Sequence, residues 1–287
     1  MNVGKKMSLG KIFRDAVTIA AKEMDLMLRF KISFFSTGLV GPFMRVVPFL
    51  FLYSGFFVFS SAGSLGIVNQ GNYMVFLFLG MLADLFIELG YKGFASRFLM
   101  EKYWQTIDGI LMAPVSKFSL IFGIGAGDLL ASLPSIIIFS IFAYLLIPIP
   151  PFNFAMVLFV LLLMMLVTLS VGLVYGAAAL ASENWVVLFE YGRAAWIFLS
   201  CLYYPITIFS PSAYTGIMHT VFSVIYFCAW INPLYQGNYI IRALWLEPGT
   251  PFPLFSLLYI LCFVILMPIV SVKLFSLVLR KKGIQGY

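Results

Sequence analysis

Charge is the scarcest property of this 287-residue sequence, because Asp, Glu, Lys and Arg together make up only 10% of it. A soluble domain carries about a quarter charged residues, whereas 62% of this chain is hydrophobic. Several apolar runs reach the roughly 20 residues that a helix needs to cross a bilayer. The runs are continuously apolar and lack the alternation of barrel strands, which excludes a transmembrane β-barrel. The composition therefore predicts an all-α polytopic membrane protein.

Signals of catalysis are equally scarce. The chain has one histidine and three cysteines, and it contains no HExxH, GxSxG or paired-cysteine spacing. The glycine run GIGAG at 123–127 is not followed by Lys and Ser or Thr, so it is not a phosphate-binding P-loop. These absences predict a chain that is not an enzyme, does not hydrolyse ATP itself, and needs no metal or cofactor of its own.

The few charges are unevenly distributed along a chain whose formal net charge is +7. Basic residues flank the apolar runs instead of covering one face, which argues against nucleic acid as a partner. Lys and Arg are frequent in the N-terminal segment, the 97–117 stretch and the C-terminal tail, and absent from the turns 61–72 and 148–153. The positive-inside rule then places both termini and the 97–117 stretch on the cytoplasmic side of the cytoplasmic (inner or plasma) membrane.

Cytoplasmic termini require an even number of crossings, and this decides how the apolar runs are counted. Residues 216–231 are apolar but short, so we expect 211–250 to be an external re-entrant region with one or two helices, including an amphipathic piece at Tyr235–Trp245. Irregular backbone survives at membrane depth only when it is buried in protein or lines a cavity. The count then predicts six transmembrane helices at 32–60, 73–95, 118–147, 154–181, 187–210 and 252–279.

Residues 8–29 form a different kind of helix. Apolar residues recur there at helical spacing and basic residues mark the opposite face, as in helices that lie in the plane of the membrane interface. A helix that packs against a soluble partner would show the same pattern. We expect an N-terminal interfacial amphipathic helix.

The first two predicted spans carry charged residues near their middle. Arg45 lies about 13 residues into the first run and Asp84 about 11 residues into the second, which at ~1.5 Å per residue puts both near mid-membrane. Glu88 follows one helical turn after Asp84. Because charge at that depth is costly, we expect an Arg45–Asp84/Glu88 ion cluster, either as a structural pin between two spans or as a substrate or proton site. Glu190 and Arg193 near one end of the fifth span pose the same alternative.

Two further segments interrupt the apolar pattern. The stretch between the second and third spans must lie in water, and we expect a cytoplasmic helix at 97–113 within it. Tyr203, Tyr204 and Pro205 break the fifth span toward its outer side, where a transport path would need an external gate; a simple proline kink is the alternative. The residues of the aqueous stretch that we expect to contact a partner protein are Arg97, Glu101, Lys102, Thr106, Asp108 and Lys117.

Three motifs in this order resemble the permeases of ABC-2 type exporters, which include drug, lipo-oligosaccharide and polysaccharide export families. The run TIDGILMAPVSK at 106–117 is similar to the family's signature GT-[LI]-[ED]-x-LL-x-[AT]-P-V-[ST]-[RK], with Gln105 in place of the usual glycine. Tyr203-Tyr204-Pro205-Ile206 resembles its [FY]-[FY]-P-[IL] motif, and Ile231-Asn232-Pro233-Leu234 with Arg242 resembles its NPL…R motif. The resemblance covers nearly the whole chain.

The resemblance implies a transport subunit that works in an assembly. Two copies of such a permease pair with two separate ATP-binding subunits, which carry the ATP and Mg. The 97–113 helix would be the coupling helix seated on the ATPase. The path would run along the interface between the two copies, with membrane lipids around it and a lipid-linked or amphipathic substrate (glycan, lipid or drug) as cargo. An ion-coupled secondary transporter or channel that uses Arg45, Asp84 and Glu88 is the alternative function.

Overall fold

The computed structural model describes residues 9–29, 36, 40–59, 63–103 and 117–281. A short antiparallel hairpin pairs β1 (Ser64–Leu65) with β2 (Val68–Asn69). Two single 3-10 turns, Ile206–Phe209 and Pro211–Ala213, lie late in the chain. The α-helices within these ranges are α1 (Leu9–Arg29), α2 (Gly41–Phe59), α3 (Tyr73–Tyr103), α4 (Lys117–Leu146), α5 (Pro151–Ala181), α6 (Glu183–Leu199), α7 (Gly216–Ile231), α8 (Pro233–Leu246) and α9 (Leu254–Lys281).

Four of the described helices are long and apolar enough to cross a membrane, and the bent pair α7–α8 raises that number to five if it counts as one span. The chain is therefore a helical multi-pass membrane protein. The qualifying segments lie where the second, third, fourth and sixth spans were predicted: Tyr73–Tyr91, Phe122–Leu146, Pro151–Ala179 and Leu254–Val278.

The first predicted span is only partly described, and the fifth differs from the observed helix. The described helix α2 begins at Gly41, although the span was predicted from residue 32, and most of 32–40 lies outside the described residues. Helix α6 is only 17 residues long and stops at Leu199, so 187–210 is not one continuous helix. A 17-residue helix is at the lower limit for crossing a bilayer.

Helices α3 and α5 form the centre of the fold. Within the spanning part of α3, 78% of the residues are buried inside the protein. The two backbones approach closely where small residues meet: a Cβ placed on Gly172 would lie 2.6 Å from the carbonyl oxygens of Gly90 and Tyr91. Helices in lipid associate through such contacts, because the hydrophobic effect does not drive helix against helix there. The central pair therefore depends on glycine at this crossing.

A bulky substitution at that crossing should separate the central helices. We expect Gly172→Val to destabilise the protein by about 3 kcal/mol, at the upper end of overpacking costs, because the new side chain meets backbone that cannot move aside. Thermal unfolding of the detergent-solubilised protein measures this. Gly192→Val in α6 is the matched control, since a Cβ there meets nothing within 4 Å. Equal melting temperatures for the two variants would contradict the close crossing.

Helix α1 agrees with the predicted 8–29 to within one residue at its start. It lies against α4, where a Cβ on Gly123 would come within 2.8 Å of the Ala16 carbonyl oxygen and 2.7 Å of the Ile19 side chain. Its other side leaves Phe13 73% exposed. The helix thus packs on its own chain and keeps apolar side chains exposed outside that contact.

The 211–250 region contains two helices, α7 and α8, bent by 76° at Asn232. The amphipathic piece expected at Tyr235–Trp245 lies within α8. Nearly every side chain of α8 is buried, polar ones included. The polar residues of this segment turn inward because their partners are backbone carbonyls of another helix, described next.

Candidate functional site

The candidate site is built around the end of α6. The helix stops at Leu199, and Cys201 has a φ of 53°, which turns the chain out of the helical path. The last four carbonyl groups of a helix have no partner within it. In a membrane-embedded core such groups must find donors elsewhere, because an unsatisfied one costs several kcal/mol in lipid.

Side chains from the α7–α8 pair supply donors at this end of α6 and in the segment that follows it. The Asn232 side chain donates from Nδ2 to the Trp196 carbonyl at 3.0 Å, and its Oδ1 accepts from the Leu234 amide, which caps α8. Asn238 donates to the Cys201 carbonyl at 3.2 Å. Arg242 donates from Nη2 to the Leu202 carbonyl at 2.6 Å. The three side chains bind carbonyls in the last turn of α6 (Trp196) and just beyond its end (Cys201 and Leu202), and so hold the broken end in place.

Arg242 is the charged member of these three side chains, and only 4% of its surface is exposed. Its guanidinium carbon lies 3.7 Å from the centre of the Phe76 ring, a cation–π contact. The C-terminal end of a helix carries partial negative charge, so a cation beside α6 is favourable there. Arg242 therefore joins the broken end to the central helix α3 as well as to α8.

The segment after the break also touches α3 and α2 directly. A Cβ on Gly80 would lie 2.1 Å from the Leu202 carbonyl oxygen, so only glycine lets the two backbones approach this closely. The Tyr53 hydroxyl donates to the Tyr203 carbonyl at 3.1 Å. The break is thus held between α2, α3 and α8.

The structure brings together the three predicted residues of the ion cluster. Arg45 Nη1 lies 3.0 Å from Asp84 Oδ2 and 2.5 Å from Glu88 Oε2. The Asp84 side chain is 6% exposed, whereas that of Arg45 is 42% exposed on the protein surface. An arginine so exposed within an apolar helix needs these carboxylates to offset the cost of its charge.

The cluster is larger than the sequence indicated. Arg193 Nη1 lies 3.6 Å from Glu88 Oε1, and Arg193 Nη2 lies 2.9 Å from Glu190 Oε2. Tyr175 donates to the other oxygen of Glu190 at 2.9 Å. The Glu190/Arg193 pair, expected as a separate feature, therefore continues the Arg45 cluster through Glu88 and ties α6 to α2, α3 and α5.

Tyr203 connects the ion cluster to the broken helix. Its hydroxyl donates to Asp84 Oδ2 at 2.8 Å, and its ring stacks on Phe49 with centroids 4.8 Å apart. The Tyr204 hydroxyl donates to the Phe198 carbonyl, within the same break. A cavity of about 300 Å³ opens beside the two tyrosines, and its aromatic lining consists of Phe49, Tyr53, Phe56, Phe198, Tyr203, Tyr204 and Phe209. The segment predicted as a gate thus borders a small aromatic cavity.

The predicted partner-binding stretch is only partly described. Helix α3 continues to Tyr103, so the expected 97–113 helix begins as an extension of the second span. The side chains of Arg97, Glu101 and Lys102 are outside the described part, as are Thr106 and Asp108 altogether, and Lys117 begins α4 with its side chain undescribed. Within the ranges that are described, no three His, Cys, Asp or Glu side chains meet as a metal site would require.

Asn238 and Gly80 are site residues that sequence reasoning missed. The resemblance had drawn attention to Asn232 and Arg242 but not to Asn238, which lies one turn before Arg242 on the same face of α8. Polar residues at this spacing in an apolar segment are the signal that would have found it. Comparison of the chain with protein-family models and with curated proteins gives no match.

Proposed function

We propose that this protein is the permease subunit of an ATP-driven ABC exporter. It would act as a pair of copies with a separate ATPase subunit that binds ATP and Mg, in the cytoplasmic membrane with both termini cytoplasmic. One observation carries the proposal. Two of the three motifs behind the resemblance, Tyr203-Tyr204-Pro205 and Asn232 with Arg242, lie apart in sequence and meet at the break after α6, where Asn232 and Arg242 donate to backbone carbonyls and the Tyr203 hydroxyl donates to Asp84. A shared site gives a physical reason for motifs that pattern alone leaves unrelated.

Helix α3 provides the mechanical connection in this proposal. It runs unbroken from Tyr73 to Tyr103 and so joins the aqueous stretch to the site. Glu101 and Gly80 are 21 residues apart, about 32 Å at ~1.5 Å per residue. A movement of the ATPase against the end of α3 would be transmitted along this helix to the Leu202 backbone and to Asp84. Rearrangement at the break could then open a path.

The cargo class follows from the surroundings of the break. The small cavity beside Tyr203 and Tyr204 is almost wholly apolar and aromatic, while the ion cluster begins at the Tyr203 hydroxyl. A path lined by both apolar aromatic and charged side chains suits an amphipathic or lipid-linked molecule, such as a glycolipid or drug, better than a fully hydrated solute.

Charge reversal on the coupling segment tests the proposal. We expect Glu101→Lys and Asp108→Lys to reduce recovery of the ATPase with the affinity-purified permease by about tenfold, the loss of ~1.4 kcal/mol of binding. Glu247→Lys is the matched control, because this exposed residue follows α8 at the far end of the fold. If no ATPase accompanies the unaltered protein and transport survives both reversals, the proposal is overturned.

The extended ion cluster favours a second candidate function. Three carboxylates and two arginines meet between α2, α3 and α6, which is an arrangement found in proton and ion pathways. An ion-coupled carrier or channel would move its substrate into proteoliposomes when a proton or sodium gradient is imposed without ATP. The ABC exporter proposed above would require the ATPase subunit and ATP under the same conditions.

A further inference from the structure

A second, larger cavity lies on another side of the protein, between α4 and α5. Its volume is about 630 Å³, within the ~300–1,000 Å³ range of ligand sites. Phe86 of α3 forms its floor. The walls are Leu129, Leu133, Ile137 and Ile141 on α4, and Leu158 and Leu162 on α5.

This groove is a fixed part of the fold. The turn that joins α4 to α5 is held from outside, since Trp245 donates from Nε1 to the Ile147 carbonyl at 3.0 Å. Asn153 at the start of α5 donates to the Leu244 carbonyl at 3.0 Å. Both contacts anchor the turn to α8. The two helices therefore cannot close the gap by moving the turn, and something must fill the space.

The chemistry of the lining selects the occupant. Among the lining residues only Ser140 and Tyr144 have polar side chains, and an apolar cavity does not hold water. The groove lies between two segments that can span a membrane. Side chains at its edge, such as Ile137 and Leu145, are also exposed on the outer face of α4. The lipid that covers this face therefore also covers the groove.

The length and ends of the groove define the occupant further. Leu129 and Tyr144 are 15 residues apart on α4, about 22 Å along the helix, which exceeds the ~15 Å depth of one leaflet of a ~30 Å hydrocarbon core. Tyr144 stands at the end beside the turn, and tyrosine prefers the level of the lipid headgroups. Leu129 and Leu162 lie at the deep end.

We propose that this groove binds one acyl chain of a membrane phospholipid, with its glycerol end beside Tyr144 and its tail against Phe86 and Leu129. The chain acts as a wedge that completes the packing between α4 and α5. Such a site does not depend on the transport function proposed above, because the lipid is part of the bilayer and is not the cargo.

Photo-crosslinking tests the site directly. The full-length protein is reconstituted in phosphatidylcholine vesicles that contain a phosphatidylcholine with a diazirine at the end of one acyl chain. We expect labelling of Leu129, Leu158 and Phe86 to exceed that of Leu130, which is exposed on α4 but does not line the groove, by about tenfold, equivalent to ~1.4 kcal/mol of preferential occupancy. Equal labelling of Leu130 and the groove residues would show ordinary lipid contact only and would overturn the proposal.

Matched tryptophan substitutions provide a second readout. Ile137→Trp fills the groove, whereas Leu130→Trp adds the same side chain to an exposed position on α4 that does not line it. The groove-filling change should abolish the excess labelling of Leu158, and the control should leave it unchanged. Ile141→Trp serves the same purpose if Ile137→Trp does not fold. Undiminished labelling of Leu158 in a folded groove variant would contradict the site.

Discussion

Arg242→Ala should unfold the break and abolish transport, with a loss of stability of about 3–5 kcal/mol from the lost hydrogen bond and the cavity together. The arginine donates to the Leu202 carbonyl and packs on Phe76, and it is fully enclosed. Its removal leaves a buried carbonyl without a donor, which costs ~1–3 kcal/mol, and a cavity beside the ring adds to that cost. Thermal or denaturant unfolding of the solubilised protein measures the stability, and reconstituted transport measures the function.

Two companion variants separate charge from geometry. Arg242→Lys keeps a positive charge and a donor but loses the planar group that stacks on Phe76, so we expect it to recover part of the stability. Lys273→Ala removes a cation at an exposed position of α9 and should change the melting temperature little. Normal transport by the Arg242→Ala variant would show that the break does not need this donor.

The part of the fold that could be predicted from sequence is the part that depends on local properties. A segment of about 20 apolar residues must cross the membrane, and four of the six predicted spans correspond to helices long and apolar enough to do so. The Arg45 cluster could be predicted for a similar reason, since an intramembrane charge demands a partner at the same depth.

The end of α6 could not be placed from its own sequence. The pattern suggested a break at Tyr203, but the helix stops at Leu199 because donors from α7–α8 compensate the carbonyls there. Those donors lie 36 to 40 residues further along the chain. Nothing local in 196–203 records that they are present. The same long-range pairing accounts for the amphipathic pattern of Tyr235–Trp245, because polar residues such as Asn238 and Arg242 bind backbone carbonyls of the break.

The size of the ion cluster was missed for a related reason. The spacing of Glu190 and Arg193 indicates a pair on one helix face. That Arg193 also reaches Glu88 depends on how α6 lies against α3, which the hydrophobic pattern does not determine. Apolar periodicity indicates which face of a helix is buried but not which neighbour it meets.

Arg45→Ala should destabilise the protein by about 1–3 kcal/mol, less than the ~3–5 kcal/mol for breaking a fully buried pair. The cost is reduced because Arg45 is 42% exposed and Arg193 still lies 3.6 Å from Glu88. A cost in stability remains, because without Arg45 the Asp84 carboxylate keeps only the Tyr203 hydroxyl among the partners described above. Unfolding of the solubilised variant gives the magnitude, and Glu247→Ala, which removes an exposed charge outside the cluster, is the control.

A double-mutant cycle then decides between the two roles of the cluster. Glu88→Gln combined with Arg45→Ala removes one charge of each sign, so the double variant should regain stability relative to Arg45→Ala by about 1 kcal/mol of coupling. If the cluster only pins α2 to α3, transport should return together with stability. If Glu88 carries a proton or binds cargo, stability returns while transport stays lost, since glutamine cannot ionise. Wild-type stability and transport in Arg45→Ala alone would show that neither role needs the arginine.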